Sequence, residues 1–228
     1  MLLLAFDTAT PAVTAAVLDT GTGEVLASAD QIDARRHGEL LLPTIDAVLR
    51  EAGVAKERVG GIAVGVGPGP YTGLRVGLAT AAALGHALGI PVHGVCTLDG
   101  IARAARDTGA VSGPFVVATD ARRKEVYWAR YDADGVRVEG PAVDRPADIA
   151  EKVAGLPSVG AGALLYPETF PGAVQDGPAH QSAAALAAFA ADAVAAGTSA
   201  ELPSPSTPLY LRRPDAEVPK NYKTVLPA

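Results

Sequence analysis

The sequence predicts an α/β fold made of two related units, each with a mixed β-sheet that carries helices on its faces. Three observations predict this class. The first half alternates strand-like and helix-like apolar segments in the order β-β-β-α-β-α-β-α. The second half opens with three more short strand-like segments, so it repeats the first unit in reduced form. A glycine- and proline-rich loop joins a buried strand to a helix, which is typical of α/β proteins.

The first unit is predicted to span residues 1–106. It opens with an antiparallel meander, because short turn segments separate its first apolar runs. Leu41 and Ile45 belong to an apolar set with three- and four-residue spacing, which predicts an amphipathic helix that ends at Gly53. The predicted strands are 2–6, 13–18, 25–32, 61–66 and 91–95, and the predicted helices are 40–52, 72–88 and 98–106.

The second unit is predicted to span residues 107–228 and to be smaller. A Pro- and Ser-rich stretch, 198–208, is interpreted as a crossing linker. The tail from Leu209 mixes charged residues with proline, and its end is expected to be mobile. The predicted strands are 115–119, 125–131, 135–138 and 158–160, and the predicted helices are 146–154 and 182–196.

Composition restricts the function. The formal net charge is −6, which argues against a protein whose main task is to grip nucleic acid. The single cysteine, Cys96, excludes an internal disulfide and a cysteine-based zinc site, and its apolar surroundings predict a buried, inert thiol. The longest uncharged run, 76–96, is interrupted by glycines and a proline, so no membrane span is expected. The first seven residues indicate a strand and not a signal peptide, and we expect a cytoplasmic protein.

The glycine-rich loop has two interpretations. A loop that leads into a helix offers free N–H groups to an anion, and the alternative is a tight strand-to-helix connection. A dinucleotide-binding fingerprint is excluded by Pro70, and a P-loop is excluded because no lysine lies between Lys56 and Lys124. Arg75 is either an anchor for a partner's carboxylate or a solvated charge. The loop residues singled out are Gly67, Pro68, Gly69, Tyr71, Thr72, Gly73 and Arg75.

A second loop follows the first strand, where Asp7 is followed by Thr8 and Thr10. With the two-unit βββαβα order, this arrangement resembles the actin/hexokinase/Hsp70-type (ASKHA) ATPase fold, which is RNase H-like. The resemblance implies that Asp7, Thr8 and Thr10 form a phosphate loop in which the carboxylate orients a metal-bound water. The alternative is that Asp7 is a strand-end residue that caps its own backbone.

The second unit contributes weaker candidates for nucleotide binding. Gly160 and Gly162 form either an adenosine-side turn or an ordinary turn after a strand. Asp120 holds the position of a second phosphate loop, but no glycine pair accompanies it. A stand-alone ATPase or kinase of the ASKHA fold is therefore the alternative function, and weak binding of ATP or ADP stays open.

Four motifs narrow the resemblance: 6–9, 36–43, 67–77 and 208–212. With them the chain is identified as a member of the TsaB (YeaZ) family, and Tyr71 stands where this family often has Phe. The family implies an accessory subunit in bacterial synthesis of threonylcarbamoyladenosine (t6A) next to the tRNA anticodon. It also implies dimerisation with the catalytic paralogue TsaD, an ATPase partner of the TsaE type, and tRNA contact mainly through the complex. A homodimer of the free chain stays open.

The chain departs from the catalytic paralogue at one motif. The paralogue's metal-binding His-x-x-x-His sequence corresponds to Thr97 and Ile101 here, and an isoleucine cannot coordinate a metal. The four histidines of the chain form no pair four residues apart, and no metalloprotease ligand set supports the older glycoprotease label. We therefore expect no catalytic residue, no metal and no cofactor requirement in this chain alone.

The two helices that flank the glycine-rich loop form the expected partner interface. The family implies that they pack as a four-helix arrangement against the paralogue or a second copy, and the alternative is burial within their own domain. A third functional possibility is direct tRNA binding by the basic residues Arg212, Arg213, Lys220 and Lys223. The alternative is that these charges are simply solvated. The expected interface residues are His37, Leu41, Ile45, Val76, Ala79, Thr80, Ala83 and His86.

Overall fold

The computed structural model describes residues 1–212, which form five stacked layers. Helices α1 and α2 cover the outer face of a five-stranded sheet, and α3 and α6 lie between that sheet and a four-stranded one. Helices α4 and α5 cover the far face of the second sheet. The helices are α1 His37–Glu51, α2 Tyr71–Leu88, α3 Thr97–Asp107, α4 Pro146–Val153, α5 Ala161–Leu165 and α6 Ala183–Ala195.

The first sheet is mixed, with the strand order β3-β2-β1-β4-β5. Strands β1, β2 and β3 are antiparallel, whereas β4 and β5 run parallel to β1. Alternate residues of β2 point to opposite faces: Val13 and Val17 pack under α1 and α2, and Leu18 packs under α6. The strands are β1 Leu2–Asp7, β2 Ala12–Asp19, β3 Glu24–Ile32, β4 Val59–Gly65 and β5 Val92–Val95.

The second sheet has the order β8-β7-β6-β9, in which β9 is the one strand parallel to its neighbour. Phe115 and Tyr131 stack at 5.2 Å on the face that packs against α3. Trp128 is buried on the opposite face, under α4. The strands are β6 Phe115–Asp120, β7 Val126–Tyr131, β8 Arg137–Asp144 and β9 Ser158–Val159.

The α/β class and the repeated three-strand opening are confirmed, whereas several details differ from the prediction. Strand β8 extends to Asp144, six residues beyond the predicted end, and α5 was not predicted because five residues are too few for a helical pattern. The boundary after residue 106 stays a prediction, and packing contacts cross it. Helix α6, assigned to the second unit, packs its alanine face on the first sheet.

The last described segment returns to the first unit. The Leu209 N–H donates a 2.8 Å hydrogen bond to the Val66 carbonyl, and the segment continues to Arg212. Arg212 pairs with Glu125 at 3.3 Å, which differs from the expected solvated patch. The rest of that patch, Arg213, Lys220 and Lys223, and the expected mobile end of the tail lie outside the described residues. Within residues 1–212, no helix has the length and apolarity that crossing a membrane requires.

Candidate functional site

Asp7 ends β1 in the centre of the first sheet, and its side chain is fully buried. Its Oδ1 accepts a 2.6 Å hydrogen bond from the Ala9 N–H, and its Oδ2 accepts a 2.8 Å bond from the Thr97 hydroxyl. Burial raises the Asp7 pKa to about 6, against the lowering effect of these hydrogen bonds. Both carboxylate oxygens therefore accept hydrogen bonds within the chain, which favours the backbone-capping alternative for Asp7.

The two threonines after Asp7 are also engaged. The Thr8 hydroxyl donates to the Gly73 carbonyl at 2.8 Å and accepts from the Gly77 N–H at 3.1 Å. The Thr10 hydroxyl donates to Oε1 of Gln181, in the segment that leads into α6. The loop 7–10 therefore joins β1 to α2 and to the approach of α6.

The glycine-rich loop needs its glycines because its backbone lies close to the backbone of residues 8–9. A methyl group added at Gly69 would lie 2.1 Å from the Ala9 carbonyl oxygen, and one added at Gly73 would lie 2.6 Å from that of Thr8. Gly67 has a φ of 95°, a conformation that favours glycine. Pro68 is buried beside it in the turn before α2. Of the two interpretations, the geometry favours the tight strand-to-helix connection.

A crevice of about 280 Å³ remains beside this connection. Its lining includes Thr8, Thr10, Thr72 and Gly73, together with Arg122 from the turn after β6. Asp120 also lines the crevice, but its Oδ1 accepts a 2.8 Å hydrogen bond from the Arg122 N–H. Thr8 and Thr10 of the loop after β1 thus lie at the same crevice as Asp120, which is the arrangement that the ASKHA resemblance implies. The Asp7 carboxylate does not line this crevice.

Gly160 and Gly162 serve the packing of α5. A methyl group at Gly160 would lie 2.2 Å from the Ala118 carbonyl oxygen, and one at Gly162 would lie 2.8 Å from the Thr119 carbonyl carbon. Gly160 also has a φ of 103°. The space beside both glycines is filled by the backbone of β6, so these residues do not line the crevice.

The positions of the paralogue's metal ligands lie at the start of α3. Thr97 is fully buried and bonded to Asp7, and Ile101 is fully buried against the second sheet. Asp99, between them, accepts a 2.8 Å hydrogen bond from the Tyr131 hydroxyl and faces Arg137 at 3.5 Å. Burial raises the Asp99 pKa, although Arg137 opposes the effect. No group of three metal-ligating acids, histidines or cysteines occurs among residues 1–212.

Cys96 precedes this helix and is fully buried. Burial raises the pKa of its thiol to about 12, so the thiolate is not populated near neutral pH. Its position agrees with the predicted inert thiol.

The expected partner interface divides into two groups. Leu41 and Ile45 are buried in the core beneath α1, because this face of the helix covers β2 and β3, and the prediction is corrected for both. His37 is half-buried, and its Nε2 donates to the Thr10 carbonyl at 2.7 Å. The five expected residues on α2 all retain accessible surface: Val76 and Thr80 in part, and Ala79, Ala83 and His86 largely.

The sequence analysis missed Leu42, which is 56% exposed on α1. It lies one turn after Gly38, where an added methyl group would be 4.0 Å from Cγ2 of Val76. Leu42 is therefore an exposed apolar side chain on α1, the helix that contacts α2. The spacing contained a signal for this position, because Leu41, Ile45 and Val48 define the buried face of α1 and Leu42 falls outside that three- and four-residue series.

Arg75 is held by two aromatic rings of its own chain. Its guanidinium lies 3.9 Å from the Tyr71 ring centroid, and its Nε donates to the Tyr210 hydroxyl at 3.2 Å. Tyr71 and Tyr210 stack at 5.1 Å. This cluster fastens the C-terminal segment to the first turn of α2, at one end of the exposed α2 surface.

The repeated mixed sheets, the central α3 and α6, and the paired loops at the crevice define a protein of the ASKHA class. The family model described as TsaD, tRNA N6-adenosine threonylcarbamoyltransferase, matches residues 24–218. The structure of YeaZ from Pseudomonas aeruginosa has a TM-score of 0.76 and 33% identity, and the match covers 92% of this chain and 99% of that one.

Two relatives carry the comparison further. An uncharacterized protein of Mycobacterium tuberculosis is 47% identical over 220 residues, which is 94% of this chain and 93% of that protein. The tRNA threonylcarbamoyladenosine biosynthesis protein TsaB of Escherichia coli is 33% identical over 177 residues, or 74% of each chain. The chain therefore belongs to the TsaB (YeaZ) family.

Proposed function

We propose that this protein is an accessory subunit in the biosynthesis of threonylcarbamoyladenosine in tRNA. The E. coli relative is named a tRNA threonylcarbamoyladenosine biosynthesis protein and matches this chain over 74% of its length, which supports the pathway. The match to the TsaD family model supports a TsaD-like protein as the partner. In this proposal a TsaE-type ATPase joins the complex in the cytoplasm, and tRNA is contacted mainly through the partners.

The non-catalytic role rests on one observation. The two positions that would carry the paralogue's metal-binding histidines hold Thr97 and Ile101, and both side chains are fully buried in contacts within the chain. Neither side chain can reach a substrate without unfolding the start of α3. The catalytic chemistry therefore belongs to the partner, and this chain contributes contact surface.

The contact surface we propose is the exposed strip formed by Leu42 and Val76, with Ala79 and Ala83 on α2. Small residues let a second helix approach closely, and an apolar strip on two adjacent helices suits a helical partner. His37, Thr80 and His86 border this strip. The same strip would serve a homodimer when the paralogue is absent.

The test is an omission experiment. Purified TsaD-like and TsaE-like proteins are combined with the threonylcarbamoyl-adenylate synthase, tRNA, ATP, threonine and bicarbonate, and modified adenosine is measured by mass spectrometry. We expect modification only when this chain is added. Equal modification without the chain would reject the accessory role.

Variants locate the contact. Ala83→Glu introduces a charge on the exposed strip and is expected to abolish binding to the TsaD-like protein and the dependent modification. Ala133→Glu, in the exposed turn between β7 and β8, is the matched control and should retain both. If Ala83→Glu retains wild-type complex formation by analytical ultracentrifugation, the strip is not the interface.

The alternative is a stand-alone ATPase or kinase that uses Asp7, Thr8 and Thr10. We propose that this chain needs no nucleotide, and that any weak ATP or ADP binding is limited to the crevice beside Thr10 and Arg122. Calorimetric titration of the isolated chain with ATP and ADP tests this proposal. Tight binding together with hydrolysis that Asp7→Ala abolishes would favour the alternative.

A further inference from the structure

A second polar cavity lies on the opposite face of the first sheet from α1 and α2. It has a volume of about 230 Å³ and opens between the end of the β2-β3 hairpin and the start of α6. Its polar lining consists of Thr14, Ser28, Asp30, His180, Gln181 and Ser182. The Gln181 amide is already hydrogen-bonded, because it accepts from the Thr10 hydroxyl and donates to the Ala12 carbonyl. Neither the glycine-rich loop nor the proposed partner strip contributes to it.

The strand register explains why these side chains converge. Thr14 is directly opposite Asp30, and Ser28 is opposite Ala16. Residues opposite one another in an antiparallel pair share a face, and Ala16 packs under α6. Thr14, Ser28 and Asp30 therefore continue the α6 face of the sheet, just past the point where α6 begins.

Two polar atoms at this cavity lack a hydrogen-bonding partner within residues 1–212: Oγ1 of Thr14 and Nδ1 of His180. Thr14 is only 2% exposed, so its hydroxyl lies in the wall of the cavity and not on the open surface. Buried polar atoms in folded proteins are nearly always hydrogen-bonded, so two such atoms on one cavity require a hydrogen-bonding molecule there, either water or a ligand.

The charges of the lining select the type of ligand. Asp30 supplies a carboxylate, and none of the lysines and arginines within residues 1–212 lines the cavity. Burial lowers the His180 pKa, against the opposing effect of Asp30, so the imidazole is neutral near pH 7 and Nδ1 can accept a hydrogen bond. Asp30, His180 and Thr14 thus offer three acceptors around one small space.

We propose that this cavity binds the primary ammonium group of a small molecule. An ammonium group has three N–H donors, which match the carboxylate of Asp30, Nδ1 of His180 and the hydroxyl of Thr14. The N-terminus of α6, a helix of 13 residues, adjoins the cavity through Ala183 and the N-cap residue Ser182, and the first N–H groups of a helix have no carbonyl partner within it. They suit a carboxylate, so α-amino acids are the subclass that would use both ends of the site.

The test is an NMR titration of the full chain in which the imidazole resonances of His180 are followed. The probes are methylammonium, glycine, acetate and tetramethylammonium, which has the charge but no N–H donor. We expect saturable shifts with methylammonium and glycine, and none with acetate or tetramethylammonium. Tighter binding of glycine than of methylammonium would assign amino acids, and equal binding would assign amines in general.

Two variants and a control complete the test. Asp30→Asn should weaken binding about tenfold or more, and Thr14→Val should weaken it several-fold while keeping the side-chain shape. Asp46→Asn removes an exposed carboxylate from α1, on the other face of the sheet, and should leave binding unchanged. If Thr14→Val does not fold, Asp30→Asn, at an exposed position of β3, still tests whether the cavity binds the probes. Absence of a His180 shift with every probe, or binding that neither cavity substitution affects, would overturn the proposal.

Discussion

The Thr97 hydroxyl donates a 2.8 Å hydrogen bond to Oδ2 of Asp7, and both side chains are fully buried. This bond joins the end of the central strand β1 to the start of α3, 90 residues later in the chain. Asp7 stands at the phosphate loop that the ASKHA resemblance implies, and Thr97 stands where the paralogue TsaD carries a metal-binding histidine. In this chain the two side chains are hydrogen-bonded to each other, and the bond stabilises the contact between the first sheet and α3.

The pH dependence of stability should report the burial of Asp7. Its pKa rises from 3.8 in the unfolded chain to about 6 in the fold, so the folded state binds the proton more tightly. The contribution of this group to the free energy of unfolding is therefore greatest below about pH 4 and falls by about 3 kcal/mol as the pH rises through about 6. Urea unfolding from pH 4 to pH 7.5 measures it.

The control for this prediction is Asp7→Asn, which keeps the shape of the side chain but cannot ionise. Its pH profile should lack the fall between about pH 4 and pH 6. The exposed Asp46→Asn variant should keep the wild-type profile. Identical profiles for wild type and Asp7→Asn would contradict the raised pKa of Asp7.

Thr97→Val should destabilise the protein by about 1–3 kcal/mol at pH 7.5, because it removes a donor from a buried, ionised carboxylate. The loss should be smaller at pH 4.5, where Asp7 is protonated. Thr198→Val, which removes an exposed hydroxyl bonded to the Ala193 carbonyl, is the matched control and should cost far less. Thermal and urea unfolding at the two pH values measure both variants, and equal losses at both pH values would argue against an ionised Asp7.

Gly65→Ala should prevent stable folding, at a cost of about 3 kcal/mol or more. The added methyl group would lie 1.9 Å from Oδ2 of Asp7, which its two hydrogen-bond donors hold in place. Gly38→Ala is the control, because its nearest contact would be an ordinary 4.0 Å and it lies within α1. Circular dichroism and unfolding curves test the pair; a well-folded Gly65→Ala protein would show that Asp7 can move.

Tyr210→Ala should release the C-terminal segment from α2. The substitution removes the stack on Tyr71 and the hydrogen bond from Arg75. Hydrogen exchange of the Leu209 amide, which bonds to the Val66 carbonyl, should become faster by an order of magnitude or more. Tyr210→Phe keeps the stack and should change exchange only slightly. Unchanged exchange in Tyr210→Ala would show that other contacts hold the segment.

The local patterns predicted much of the structure. The apolar periods located the strands and most helices of the first unit, and the glycine motif located the turn before α2. Strand β8 was predicted too short, because it is half-exposed and its apolar and polar residues alternate weakly. Helix α5 was not predicted, because it has only five residues. For the expected partner interface, the spacing correctly indicated that Leu41 and Ile45 share one face of α1. It did not show that this face is the one that the first sheet covers.

The sequence by itself determined the class of fold, the family motifs, and the replacement of two metal-ligating positions by Thr97 and Ile101, because these depend on residue identity and local spacing. Only the tertiary structure decided that Asp7 is bonded to Thr97, that α6 packs on the first sheet, and that Ala79 and Ala83 stay exposed. These outcomes depend on contacts between segments far apart in the chain. Local propensity does not encode such contacts, because they form only when both sheets and the helices between them pack together.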